Sequence, residues 1–98
     1  MSLLKDISGF NWDEGNRDKN YHKHKVTNEE CEEAFFDTRK RIFGSLRVVQ
    51  GEERYVLAGK TKQERLLFIV FIIRKREIRV ISARDLNRRE RRLYEETI

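Results

Sequence analysis

Apolar positions are concentrated in the middle of the chain. Leu66 to Ile73 is an unbroken apolar run, the pattern of a central strand covered on both faces. Residues 42–49, with Ile42, Phe43, Leu46, Val48 and Val49, predict a strand before it. Residues 53–59 alternate weakly around Tyr55, Val56 and Leu57 and predict another, and Glu77 to Ala83 predicts a fourth. Gly51, Gly59 to Gln63 and Arg74-Lys75-Arg76 mark the turns between them. Connections this short predict antiparallel neighbours, because a parallel crossover needs about a dozen residues.

The flanking segments read as helices. Phe10-Asn11-Trp12 predicts a short strand, and Asp13 offers an N-cap for a helix over 14–24. That helix has almost no apolar content apart from Tyr21, so it belongs on the surface. Thr27 and Glu30 form a capping box, in which each side chain bonds the other residue's backbone N–H. Cys31, Ala34 and Phe35 then make one apolar stripe, leaving Glu29, Glu30, Glu32 and Glu33 mostly toward solvent. Asn87 and Glu90 repeat the capping geometry, and Leu86, Leu93, Tyr94 and Ile98 give a final helix its seam. The order strand, two helices, four strands, helix predicts an α+β fold, with helices packed on a four- to five-stranded, mainly antiparallel sheet. A single domain over residues 1–98 is expected, with 1–9 a poorly ordered lead-in.

Charge narrows the function. Charged residues make up 40% of the 98-residue chain against 38% apolar, yet the clustering of the apolar ones argues for a folded domain over a disordered tail. Residues 1–50 hold 9 basic and 9 acidic side chains, while residues 51–98 hold 13 and 8, so the whole net charge of +5 lies in the second half. A one-sided basic excess suits a phosphate-backbone binder, and equally a solvated surface kept for solubility. No apolar stretch reaches the roughly 18 residues of a membrane span. Met1 to Phe10 lacks the pattern of a secretory signal, and Cys31 stands alone. These features fit a cytoplasmic protein without a membrane partner.

Several chemistries are poorly supported. His22 and His24, the only histidines, point to different sides of a helix at that spacing and make no ligand pair. No CxxC, GxxxxGK[ST] or GxGxxG occurs, so neither a metal nor a nucleotide cofactor is expected. Cys31 lies in a core stripe and reads as structural. What remains is arginine and lysine beside a few acid–base groups. RNA carries its own nucleophile, the 2′-OH, and guanidinium forks match the phosphate oxygens that gain charge during its attack. A basic surface is therefore chemically sufficient for RNA cleavage, though an inert RNA-binding surface looks the same.

Four segments sharpen this. Phe10-x-Trp12-Asp13 with Asn20 and Lys23-His24 opens the chain, and Gly51-Glu52-Glu53-Arg54-Tyr55-Val56-Leu57-x-Gly59 follows. Arg79-Val80-Ile81-Ser82-Ala83-Arg84 comes next, then Arg88-x-Glu90-Arg91-x-x-Tyr94-Glu95. In order and spacing they resemble the BrnT family of type II toxins, from about Phe10 to Glu95. The resemblance implies a RelE/ParE-like fold and metal-independent endonucleolytic RNA cleavage. It also implies a BrnA-type ribbon-helix-helix antitoxin, a heterotetrameric complex, and operator DNA reached only through that antitoxin. The chain departs from the family pattern at Lys25, where a glycine would suit a left-handed helix end; lysine there costs on the order of 1 kcal/mol, so the first helix is expected to end differently.

The resemblance also orders the candidate residues. Arg79 and Arg84 come first as catalytic groups. An odd spacing sends them to opposite faces of a regular strand, so they converge only if the strand ends or bulges near Ser82. Glu53 and Arg54 also point oppositely, and Arg54 is the better phosphate ligand. His24 titrates nearest neutral pH and is a candidate acid or base, or else it packs the helix end. Lys23, Arg88 and Arg91 are candidates for gripping RNA, and Trp12 and Tyr94 read as structural. Two alternatives stay open: a non-catalytic nucleic-acid-binding module, and a RelE/ParE-fold toxin acting on a protein such as gyrase.

Overall fold

The computed structural model of the protein describes residues 3–49 and 51–96. A short strand, β1 (Gly9–Phe10), leads to helices α1 (Lys19–His24) and α2 (Asn28–Phe35). Four strands of equal length follow, β2 (Arg41–Val49), β3 (Glu52–Lys60), β4 (Leu66–Arg74) and β5 (Glu77–Asp85), and α3 (Arg88–Glu95) closes the chain. The architecture is α+β. The five strands lie in the order β1-β5-β4-β3-β2, so the apolar run from Leu66 occupies the centre. The three hairpin-connected pairs are antiparallel. β1 pairs with β5 in parallel through Gly9↔Glu77 and Phe10↔Ile78. The sheet is therefore mixed, and the parallel edge is possible because two helices and three strands separate its partners.

Turn chemistry fixes the register. Gly51 has φ 83 in the β2–β3 turn. Lys75 and Arg76 both take positive φ, 49 and 67, the sign pattern of a type I′ hairpin turn, in residues that lack glycine's freedom.

The two faces of the sheet are covered unequally. α1 and α2 lie on one face, where Val26, Cys31, Ala34 and Phe35 pack on Leu57, Leu67, Ile69, Phe71, Ile78, Val80 and Ala83. Gly59 permits the close approach of α2, since a Cβ there would sit 2.5 Å from the Ala34 carbonyl oxygen. Leu4, Ile7, Phe10 and Trp12 also pack on this core, so the lead-in adds to it. The other face is covered at one end only, where Leu86 and Tyr94 pack with Ala58 and Leu66, and Phe43 and Phe68 lie against them. Leu93 is 43% exposed and stands outside the seam expected for it; Ile98 lies outside the described residues.

Both capping boxes form: Thr27 and Asn87 accept from the backbone N–H of Glu30 and Glu90, whose carboxylates accept in return. The segment 14–24 differs from expectation. Residues 14–18 are turns, α1 begins only at Lys19, and Asp18 precedes it with φ 59. Asp13 caps a local turn by accepting from Gly15 N–H at 2.8 Å. The reason lies in β5, which has no strand neighbour beyond Ile78 on that side. Asn16 Nδ2 donates to Val80 O (3.2 Å), Lys19 Nζ to Ile81 O (3.2 Å), and Asn20 Oδ1 accepts from Ala83 N–H (2.9 Å). Asn16 and Asn20 are each 3% exposed. A nearly apolar-free segment is thus held by finishing the ladder of an edge strand. At its end Lys25 does adopt the left-handed conformation (φ 58, ψ 35), donating its N–H to Tyr21 O. The helix ends as a glycine would end it, at lysine's conformational cost.

Candidate functional site

The sheet face opposite α1 and α2 gathers arginines because of one irregularity. Val70 pairs with Ser82 but Phe71 pairs with Val80, so Ile81 is an extra residue in β5. A bulge of this kind shifts side-chain parity. It places Arg79, paired with Ile72, and Arg84, paired with Phe68, on the same face, although five positions separate them in sequence. Val56 pairs with Val70 on β3, so Arg54 falls on this face as well. Continuing that register sets Arg54, Ile72 and Arg79 in one row across three strands. At the usual strand spacing Arg54 and Arg79 stand about 10 Å apart, and Arg84 about 13 Å further along. Between the rows lie buried Val56 and half-buried Val70 and Ser82.

Each arginine is held differently. Arg79 Nη1 donates to Asn11 Oδ1 (2.7 Å) and Asp13 Oδ2 (2.9 Å), and Nη2 to Asp13 Oδ1 (3.1 Å). Its side chain is 17% exposed. The Arg79 hydrogen bond, the Gly15 N–H and the guanidinium charge hold the Asp13 carboxyl below its ordinary range. Arg84 donates through Nη1 and Nη2 to the two oxygens of Glu90 (2.8 and 2.9 Å), and Nη1 also reaches Asp85 O at 3.1 Å. Its guanidinium lies 4.1 Å from the Phe68 ring centroid, a cation–π distance. Glu90, its carboxyl lowered chiefly by Arg84, also caps α3, so Arg84 ties that helix to the sheet. Arg54 is half-buried and has no hydrogen bond or ion pair among the described residues. Arg74, at the rim, is closed by Glu52 through Nε (2.6 Å) and Nη2 (2.7 Å). Glu53 faces the other way and accepts from the Tyr55 hydroxyl at 2.7 Å.

The remaining candidates lie elsewhere. Lys23 and His24 end α1, on the helix-covered side. The His24 carbonyl accepts from Arg65 Nη2 at 3.2 Å, and Arg65 also grips Asp85 and Glu30. Arg65 and, in smaller part, the charges of Arg91 and His24 lower the Asp85 carboxyl. Lys23, Arg88 and Arg91 are exposed. The structure therefore brings Arg54, Arg79 and Arg84 to one face and leaves Lys23 and His24 off it. Among the described residues no group of three or more His, Cys, Asp or Glu side chains is placed to hold a metal, and no helix is long and apolar enough to cross a membrane. Asn11, Asp13 and Glu90 belong to the arginine face although sequence reasoning assigned them no role there. Only the Trp12-Asp13 and Glu90 positions within the quoted segments signalled them.

The family model described as the ribonuclease toxin BrnT of type II toxin–antitoxin systems matches residues 12–90. The chain belongs to this family. No curated protein matches the chain. Membership makes it a ribonuclease toxin whose type II system supplies a protein antitoxin. The matched span begins at Trp12, just before the Asp13 that holds Arg79, and ends at Glu90, which holds Arg84.

Proposed function

We propose that this BrnT-family toxin cleaves RNA endonucleolytically on the arginine face, without a metal, and so inhibits translation and growth. The observation that carries the reading is the bulge at Ile81, which brings Arg79 and Arg84 to the face that holds Arg54. In the proposed reaction the substrate's 2′-OH bonds to the adjacent phosphorus and gives up its proton. The P–O5′ bond breaks and O5′ takes up a proton, leaving 2′,3′-cyclic phosphate and 5′-hydroxyl ends. The arginines stabilise the charge that builds on the phosphoryl oxygens, where forked donors serve best. Arg88 and Arg91 extend the basic surface for backbone contacts, with affinity that falls as salt rises. His24 lies off this face, so the reading gives it no part in proton transfer.

On the sequence resemblance we further infer a RelE/ParE-like fold and a BrnA-like ribbon-helix-helix antitoxin. The complex is a heterotetramer, and operator DNA is reached only through the antitoxin. The test is cleavage of end-labelled RNA by the purified toxin in excess EDTA, with the product ends identified chemically. Cyclic phosphate ends formed under chelation support the reading; activity lost on chelation and restored by magnesium or zinc overturns it. Light scattering of the co-expressed pair checks the assembly.

A further inference from the structure

A guanidinium offers two bidentate edges, one formed by Nη1 and Nη2 and one formed by Nε and Nη2. The arginines of this face differ in which edge is spent. Arg74 uses Nε and Nη2 on Glu52. Arg79 uses Nη1 and Nη2 on Asp13 and a further Nη1 proton on Asn11. Its Nε and one Nη2 proton have no partner among the described residues. No buried side-chain nitrogen or oxygen in the described structure lacks a hydrogen bond, so solvent reaches this Nε.

Residue 15 lies beside the Nη2–Asp13 contact. A Cβ there would sit 3.0 Å from Arg79 Nη2 and 3.2 Å from Asp13 Oδ1. Glycine at 15 therefore leaves room for the Nη2–Asp13 contact, while its N–H fixes Asp13 at 2.8 Å. Asn11 is anchored in turn, its Nδ2 donating to Glu77 Oε1 at 3.3 Å.

We propose that Asp13 and Asn11 are positioning residues that hold Arg79 by its far edge and present its Nε–Nη2 edge to a phosphodiester oxygen pair, with Gly15 leaving room for the pair that holds it. The inference deepens the assignment of RNA cleavage to this face and rests on it. Asp13 does not compete for the phosphate, because it binds the edge the phosphate does not use. The ion pair also removes the rotational freedom that a lone arginine would lose on binding.

The experiment follows the arginine Nε–H signals of the 15N-labelled protein while inorganic phosphate is added. Phosphate is expected to shift the Arg79 signal and leave that of Arg74 in place. Asp13→Asn sets an amide donor against the guanidinium and is expected to weaken the Arg79 response. Gly15→Ala, whose added methyl crowds the Arg79–Asp13 pair, is expected to weaken it too. In RNA cleavage Asp13→Asn should lower kcat on the order of ten- to a hundred-fold, the scale of a misplaced catalytic group, with KM little changed. In an Arg79→Ala background it should add nothing. A merely structural Asp13 would cost the same factor in both backgrounds, and that result overturns the proposal. So does an Arg79 signal that phosphate leaves unmoved. If phosphate shifts Arg79 in the Asp13-dependent way but the toxin cleaves no RNA, the positioning stands and the cleavage assignment falls. If Arg79→Ala abolishes cleavage while Asp13→Asn cleaves at the wild-type rate, the reverse holds.

Discussion

The two faces of this sheet solve opposite problems with the same strands. On the helix-covered face, side chains such as Leu57, Ile69 and Phe71 are fully buried, and the polar groups near it serve the fold. Glu32 accepts from Trp12 Nε1 at 2.7 Å, Glu33 accepts from Lys62 N–H at 3.1 Å, and Glu30 caps α2 while gripping Arg65. On the arginine face only one end is covered, and the charges there are basic, partly matched and reached by solvent. One face spends its polar groups on itself; the other keeps Arg54 and an edge of Arg79 unspent. A protein of this size has little stability to spare, and it keeps stability and chemistry apart by dividing them between the sides of one sheet.

The largest effects should separate the faces. Phe71→Ala on the covered face is expected to cost about 3–5 kcal/mol of stability, read as a drop in the urea midpoint, and to lower activity only by depleting folded protein. Arg79→Ala and Arg54→Ala are expected to lower kcat by roughly a hundred- to a thousand-fold, the cost of one transition-state donor. Arg54→Ala, which breaks no pair, should leave Tm unchanged within a few degrees. An Arg54→Ala toxin that stays folded and arrests growth like the wild type would show this face to be ordinary surface. Arg84→Ala should show both kinds of loss, because Arg84 belongs to the arginine face and also ties down α3. His24→Gln should change the rate little.

Smaller effects sharpen the same division. Asn20→Ala orphans the buried Ala83 N–H and should cost about 1–3 kcal/mol, with loosened amide-exchange protection along β5 as the local signature. Lys25→Gly removes a left-handed lysine and should stabilise the fold by on the order of 1 kcal/mol, visible as a modest rise in Tm. The pH dependence has two limbs. The carboxyls of Asp37, Asp85 and Glu90 are lowered from 3.8, 3.8 and 4.5. Their stabilisation is present above those values and is lost as pH falls below them through the folded-state values. Burial pushes the Cys31 thiol from 9.0 to about 12 and, with the Asp37 hydrogen bond, the Tyr94 hydroxyl from 10.0 to about 12. Stability from these two is complete below the ordinary values and is lost as pH rises toward 12. Urea titrations at acid, neutral and alkaline pH should show a plateau with both shoulders.

Local signals made much of this fold legible. The four long strands, their turns and both capping boxes follow from residues close in sequence: Gly51 at its turn, Thr27 with Glu30, Asn87 with Glu90. A short strand at Phe10 was legible, shifted by a residue or two, but its parallel pairing was not, because its partner lies 68 residues away at Glu77. Nor was the true extent of α1. Asn16 and Asn20 look like surface residues until the β5 edge shows which backbone groups they complete. For the site, the arginines were named from a resemblance, but their convergence depends on an extra residue at Ile81 that exists only relative to β4. Asp13 illustrates the limit: its sequence context suggested a helix cap, and its carboxylate instead faces a guanidinium 66 positions along.

The closing of β5 by side chains gives the sheet a direction of growth. A further strand arriving on that side beyond Ile78 would have to displace Asn16, Lys19 and Asn20 from Val80, Ile81 and Ala83, breaking the hydrogen bonds that the buried Asn16 and Asn20 make there. Backbone-to-backbone pairing with another chain is therefore blocked along this margin. The side chains that stand in for a further strand act as a stop, so the sheet cannot grow past β5 on that side.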